Sequence, residues 1–88
     1  MIVHVNGALL RFTDYRRAVR VAAPTVEAAL TQLADEHLPL RSVLFDRLGR
    51  LRAAHRIFLN GEPLGHDQLA TPAGDTDSVE LLMAVSGG

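Results

Sequence analysis

Thr25-Val26-Glu27-Ala28-Ala29-Leu30-Thr31-Gln32-Leu33-Ala34-Asp35-Glu36-His37-Leu38-Pro39 decides the fold class. Val26, Ala29, Leu30, Leu33, Ala34 and His37 recur at the spacing of one helix face and make a single apolar stripe. Thr25 is the N-cap candidate, because its hydroxyl can accept from an orphan backbone N–H one turn in. Glu27 stands in the first turn, where the helix dipole favours negative charge. Pro39 is expected to stop the helix, since the residue before a proline is driven out of helical geometry.

The segments on either side of this helix read as strands. Upstream, Ile2-Val3-His4-Val5 alternates with β-branched residues, and Arg17-Ala18-Val19-Arg20-Val21 alternates again. We expect these two to pair. Asn6-Gly7 signals a turn, and Leu9 to Phe12 either prolongs the first strand or opens a loop. Downstream, Ser42 to Leu44 reads as a short strand or a turn of helix, and Asp46 to Arg50 holds a turn at Gly49. His55-Arg56-Ile57-Phe58-Leu59 is a strand followed by the tight-turn pair Asn60-Gly61. Residues Pro63 to Gly74, with Gly65 and Pro72, read as a loop. Val79 to Val85 is the last strand. One main helix with several strands implies an α+β domain, the helix packed on one face of a mixed sheet of four to five strands. The first and last strands are the most apolar, so they are expected side by side and parallel at the centre.

Length and composition exclude several function classes. The chain has 88 residues, enough for one domain with a thin core. That argues against a deep catalytic pocket, and no catalytic residue is assigned. The formal net charge of -1 gives no sign of a nucleic-acid or membrane-surface binder. No apolar run approaches a membrane span, and the start lacks the basic stretch and apolar core of a signal peptide. The expected compartment is cytoplasmic. Cysteine is absent, so no side chain can hold a thiolate or persulfide. Lysine is absent too: all nine basic side chains are arginine. A GC-rich coding sequence suffices to explain that, but the consequence stands. The ordinary amine of this chain is the α-amino group of Met1.

The chain ends Ala84-Val85-Ser86-Gly87-Gly88. Glycine makes up about 7% of residues, so a chance pair at the last two positions is roughly a 0.5% event. Without a Cβ, the backbone takes conformations closed to other residues and passes through channels too narrow for side chains. Ser86, Gly87 and Gly88 reach about 10 Å when extended. Such a tail delivers the Gly88 carboxylate into a partner's active site while the globular body stays outside. The carboxylate can then attack the α-phosphorus of ATP to give an acyl-adenylate. The expected organisation is a β-grasp domain over residues 1–85 and a tail over 86–88.

Asp77-Ser78-Val79-Glu80-Leu81-Leu82-Met83-Ala84-Val85-Ser86-Gly87-Gly88 resembles the ending of the ThiS/MoaD-type ubiquitin-like sulfur carriers, and more narrowly that of the mycobacterial cysteine-biosynthesis branch. Leu44-Phe45-Asp46 through Gly49-Arg50-Leu51-Arg52 resembles the stretch before the family's third strand. His55-Arg56-Ile57-Phe58-Leu59-Asn60-Gly61-Glu62 resembles its strand and turn, and the helix opening Thr25-Val26-Glu27 fits as well. Met83 departs from a frequent proline, Ser86 from a frequent alanine and Thr76 from the usual turn glycine; none touches the Gly-Gly end.

The resemblance implies a ubiquitin-like β-grasp fold and a co-substrate rather than an enzyme. An E1-like adenylyltransferase of the ThiF/MoeB type would activate Gly88 with ATP and Mg²⁺, the carrier itself binding no cofactor. A sulfur donor, such as a sulfurtransferase or cysteine desulfurase, would convert the carboxylate to a thiocarboxylate. A sulfur-accepting biosynthetic enzyme would consume it, in cofactor, cysteine or secondary-metabolite synthesis. The alternative is a ubiquitin-like modifier joined through Gly88 to target lysines. The two share the adenylation and differ in the final nucleophile. A third reading is a β-grasp binding module with an incidental tail.

The partner-facing patch is expected at Leu64 and Leu82, with Met83 and Val85 as contacts next to the tail. Strand alternation puts Val79 and Leu81 on one face and Leu82 on the other. The four histidines, His4, His37, His55 and His66, lack metal-binding spacing and read as surface or helix-end residues. Charge is uneven. Arg41, Arg47, Arg50, Arg52 and Arg56 crowd one stretch against Asp46 alone, while Glu62, Asp67, Asp75, Asp77 and Glu80 follow with no arginine. That division is either an ordinary solvated surface or a docking face of complementary charge.

Overall fold

A computed structural model of the chain describes residues 1–83. Five strands form one mixed sheet: β1 (Ile2–Val5), β2 (Ala18–Arg20), β3 (His55–Leu59), β4 (Glu62–Leu64) and β5 (Ser78–Met83). Their order across the sheet is β2-β1-β5-β3-β4. β1 and β5 are parallel neighbours at the centre, with Val3 opposite Val79 and Val5 opposite Leu81, and every other pairing is antiparallel. This is the expected α+β β-grasp arrangement.

Alternation sets the faces of the sheet. Val3, Val5, Val19, Ile57, Val79 and Leu81 point inward and are buried. They form one core with Val26, Ala29, Leu30 and Leu33 of helix α1 (Val26–Glu36) and Leu40 and Leu44 of helix α2 (Leu38–Leu44). Thr25 caps α1 as expected: the Ala28 N–H donates to its Oγ1 at 3.1 Å. At the far end the His37 N–H donates to the Leu33 carbonyl and closes the helix.

Pro39 does not end the helical region. It stands in the first turn of α2, where a missing N–H leaves no bond unmade and a fixed φ suits the helix. Ser42 to Leu44 therefore takes the helical alternative. Leu9 to Phe12 is neither strand nor plain loop but part of a 3-10 helix, Gly7–Phe12, that buries Leu9. Pro63 belongs to edge strand β4, a place where the absence of a donor is tolerated. The segment beyond it carries a short 3-10 helix, His66–Gln68.

Asn60-Gly61 forms the tight β3–β4 turn, both residues at positive φ (52° and 86°), as a primed hairpin turn requires. The same turn holds the start of β5. Asn60 Nδ2 donates to Asp77 Oδ1 at 2.9 Å, and the Ser78 N–H donates to Asn60 Oδ1 at 2.9 Å. The Gly74 N–H donates to Asp77 Oδ2 at 2.7 Å, and the Ile2 N–H to the Asp77 carbonyl at 3.0 Å. One aspartate thus joins the β3–β4 turn, the approach to β5 and the start of β1.

The Gly74 N–H and then the Asn60 amide hold the Asp77 carboxyl below the usual carboxylate range. Asp46 is lowered as well, first by the Arg50 N–H, with the Leu48 N–H and the Arg50 and Arg52 charges adding to it against some desolvation. A carboxyl whose pKa is lower folded than unfolded contributes stability above its unfolded value. That stability is lost as pH falls through the lowered folded value. Thermal melts should therefore show an acid limb beginning in the ordinary carboxylate range. Asp77→Asn should flatten it, and a limb of unchanged steepness would refute this role.

Candidate functional site

The helices cover one face of the sheet and leave the other open. Four cross-strand pairs bring Ala18, His4, Glu80, Phe58 and Pro63 into one row across all five strands. Ile2, Arg20 and Ser78 flank the row toward one edge, and Leu82, opposite Arg56, toward the other. Ile2, Phe58 and Leu82 are half-buried, Pro63 is exposed, and Glu80 sits among them. A shallow recess of about 350 Å³ opens here, lined by His4, Asn6, Phe58, Gly61, Ser78 and Glu80. A broad, shallow surface that mixes apolar side chains with His4, Arg20, Arg56 and one carboxylate suits a protein partner better than a small ligand.

β5 crosses this face and carries the chain toward its end. Its described part stops at Met83, which pairs with His55. Val85, Ser86, Gly87 and Gly88, expected to be the contact and tail residues, lie outside the described residues. The other expected contacts do not share one surface. Leu82 is on the open face. Leu64 pairs with the inward-facing Ile57, and both Leu64 and Met83 pack against the core from the helix side. Ile2, Phe58 and Pro63 surround the open face without having been singled out in the sequence. For Ile2 and Phe58 the signal was the same alternation that placed Leu82, whereas Pro63, read as a loop residue, carried none.

His55 is no surface histidine. It is 1% exposed, because His55, Ile57 and Leu59 share the inward face of β3. Its Nε2–H donates to the Val43 carbonyl at 2.8 Å, which ties β3 to α2 beside the exit of β5. Its Nδ1 has no hydrogen-bond partner among the described residues. His66 Nε2 donates to the His55 carbonyl at 2.8 Å. His37 follows α1, and His4 lies on the open face, so the four histidines do not converge. Among the described residues no group of three potential ligands could hold a metal. No helix there is long and apolar enough to cross a membrane.

The likeness to known proteins extends over nearly the whole chain. The ThiS family model matches residues 3–88. The crystal structure of SAMP1 from Haloferax volcanii superposes with a TM-score of 0.87 at 29% identity, covering 99% of this chain and 97% of that one. CysO of Mycobacterium tuberculosis superposes with a TM-score of 0.79 at 28% identity, covering 96% and 98%. The small archaeal modifier protein 1 (SAMP1) of Methanosarcina acetivorans, at 24% identity, shares the fold with a TM-score of 0.87, over 99% and 94%. No curated protein sequence matches. The likeness is thus not confined to the mycobacterial branch that the chain ending suggested. The chain belongs to the ThiS family, among the ThiS/MoaD-type ubiquitin-like β-grasp carriers and modifiers, which are protein co-substrates of E1-like adenylyltransferases rather than enzymes.

Proposed function

We propose that this chain is a ubiquitin-like modifier whose Gly88 carboxylate is activated by an E1-like adenylyltransferase. The carboxylate oxygen attacks the α-phosphorus of ATP, held with Mg²⁺ by the partner, and pyrophosphate leaves. The amine of a target lysine then attacks the acyl carbon, AMP departs, and the amine gives up a proton as the isopeptide bond forms. Residues 1–85 act as the grip and residues 86–88 as the inserted tail. Leu82 on the open face would meet the partner, with Val85 as a contact next to the tail, while Leu64 and Met83, packed on the helix side, would lie outside that footprint. The observation that carries this reading is the 29% identity, over 99% of the chain, to SAMP1, a protein named as a modifier.

A second reading, sulfur carriage, has its own support. The family model is that of ThiS, and CysO is 28% identical over 96% of the chain. Here a sulfur nucleophile displaces AMP and leaves a thiocarboxylate on Gly88. The supplier would be a sulfurtransferase or cysteine desulfurase, and the consumer a biosynthetic enzyme. The chain ending alone puts this reading first; the likeness to SAMP1 over as much of the chain moves the modifier ahead.

One experiment separates them. The protein is incubated with an E1-like enzyme, ATP, Mg²⁺ and sulfide, its intact mass is taken, and conjugates are sought in cell extract. Isopeptide linkages to target lysines support the modifier. A single oxygen-to-sulfur exchange without conjugates supports the carrier. If removing Gly87 and Gly88 leaves both outcomes unchanged, both readings fail. Conjugates are expected to carry one copy per target lysine. The chain has no lysine, and the Met1 nitrogen is buried and donates to the Val21 carbonyl at 3.1 Å. Ladders of linked copies on one lysine would contradict this.

A further inference from the structure

Away from the open sheet face, a groove of about 680 Å³ runs between α1, α2 and the loop at residues 45–52. Its apolar part is Ala34, Leu38 and Phe45, and Leu38 is 64% exposed although it begins a helix. Its charged lining is Arg41, Arg47 and Arg52 against Asp35 and Asp46.

Both carboxylates are already engaged. Asp35 pairs with Arg41. Asp46 accepts from the Leu48 and Arg50 N–H groups at 2.8 and 3.0 Å and lies 3.7 Å from the Arg50 guanidinium. Arg47 forms no salt bridge among the described residues, and Arg52 commits only its Nε, to the Ser42 carbonyl at 3.0 Å. The groove therefore keeps positive charge unmatched beside an exposed apolar floor. The loop forming its wall is well braced. Asp46 and Arg50 exchange backbone and side-chain hydrogen bonds, and Phe45 bridges Leu51.

We propose that this groove docks an acidic segment of a partner protein, carboxylates flanking a pair of bulky apolar side chains. The carboxylates meet Arg47 and Arg52, and the apolar pair covers Leu38 and Phe45. A small polyanion fits less well, because Asp35 and Asp46 stand on the same rim and the floor is apolar. Carboxylates spaced along a peptide can avoid both. The Arg52 N–H donates to the Leu44 carbonyl, the His55 N–H donates to the Arg52 carbonyl, and His55 faces Met83 across the sheet. The groove therefore adjoins the end of the sheet where Met83, the last described residue of β5, lies. The charge and shape of the groove do not depend on whether Gly88 is activated.

The test is a titration of the full-length ¹⁵N-labelled protein with a ten-residue peptide of glutamates around a central leucine-phenylalanine pair. Amide shifts are expected between residues 31 and 52, with affinity falling as salt rises. Arg47→Glu, at an exposed site, should weaken binding about tenfold or more while leaving other amides in place. A peptide with glutamines for the glutamates, and one with serines for the apolar pair, should each bind much more weakly. The proposal is overturned if shifts gather at Phe58 and Leu82, or if the glutamine peptide binds equally well. It is overturned too if Arg47→Glu has no effect, or if ATP alone takes the same amides more tightly. Shifts that grow with protein concentration alone would assign the groove to a second copy and overturn it as well.

Discussion

Deleting Gly88 alone should lower the rate of adenylation at least about 100-fold while leaving the melting temperature unchanged. The shortened chain still ends in a glycine carboxylate, so no functional group is lost from the reaction. What changes is reach. One extended residue spans about 3.3–3.6 Å, and a reacting atom displaced by about 1 Å can cost two orders of magnitude. The fold should not respond, because the buried side chains of β5 are Val79 and Leu81, well before the deletion. ATP–pyrophosphate exchange with the E1-like partner measures the first effect and thermal melting the second. Gly88→Ala provides the complementary control: it restores length but adds a Cβ, so a channel that only glycine can thread should reject it too. Exchange at the normal rate after the deletion would sink the tail mechanism. A fall in melting temperature would show that the tail belongs to the fold.

Most of the architecture was legible because it depends on local chemistry. The Thr25 hydroxyl, the apolar stripe from Val26 to Ala34 and the Asn60-Gly61 pair each dictate geometry within a few residues. The apolar character of Ile2 to Val5 and of Val79 to Val85 sufficed to place the first and last strands together at the centre. What was missed depends on distant partners. Pro39 carries the same local signal whether it ends one helix or begins another, and only burial of Leu40 and Leu44 against the core settles that. Pro63 looks like a loop residue until β3 offers it an edge. His55 looks polar, but its ring lies inside because its strand neighbours Ile57 and Leu59 do, and α2 supplies a carbonyl for one nitrogen. The open face shows the same limit. Alternation separated Leu82 from Leu81, yet it could not say which face the helices would leave bare.

That separation makes Leu81→Ala and Leu82→Ala an informative pair of substitutions. Leu81 is 0% exposed and lies between Val5 and Ile57 at the centre of the sheet. Truncating such a leucine costs about 2–5 kcal/mol, part of it from the cavity left behind. A domain of this length is held by only about 4–13 kcal/mol. At about 4–8 °C per kcal/mol, a loss of about 3 kcal/mol lowers the melting temperature by roughly 12–24 °C. Leu82 is half-buried on the uncovered face, so its truncation should cost less than about 1 kcal/mol. Its effect should instead fall on docking: the KM for the carrier in adenylation should rise about tenfold with little change in kcat, the pattern of lost binding common to ground and transition states. Leu81→Ala, assayed well below its melting point, should leave KM near normal. The two neighbours would then separate stability from recognition. A large loss of stability in Leu82→Ala with unchanged KM would mean that its side chain serves the fold, and the partner's footprint would have to lie elsewhere than the open face.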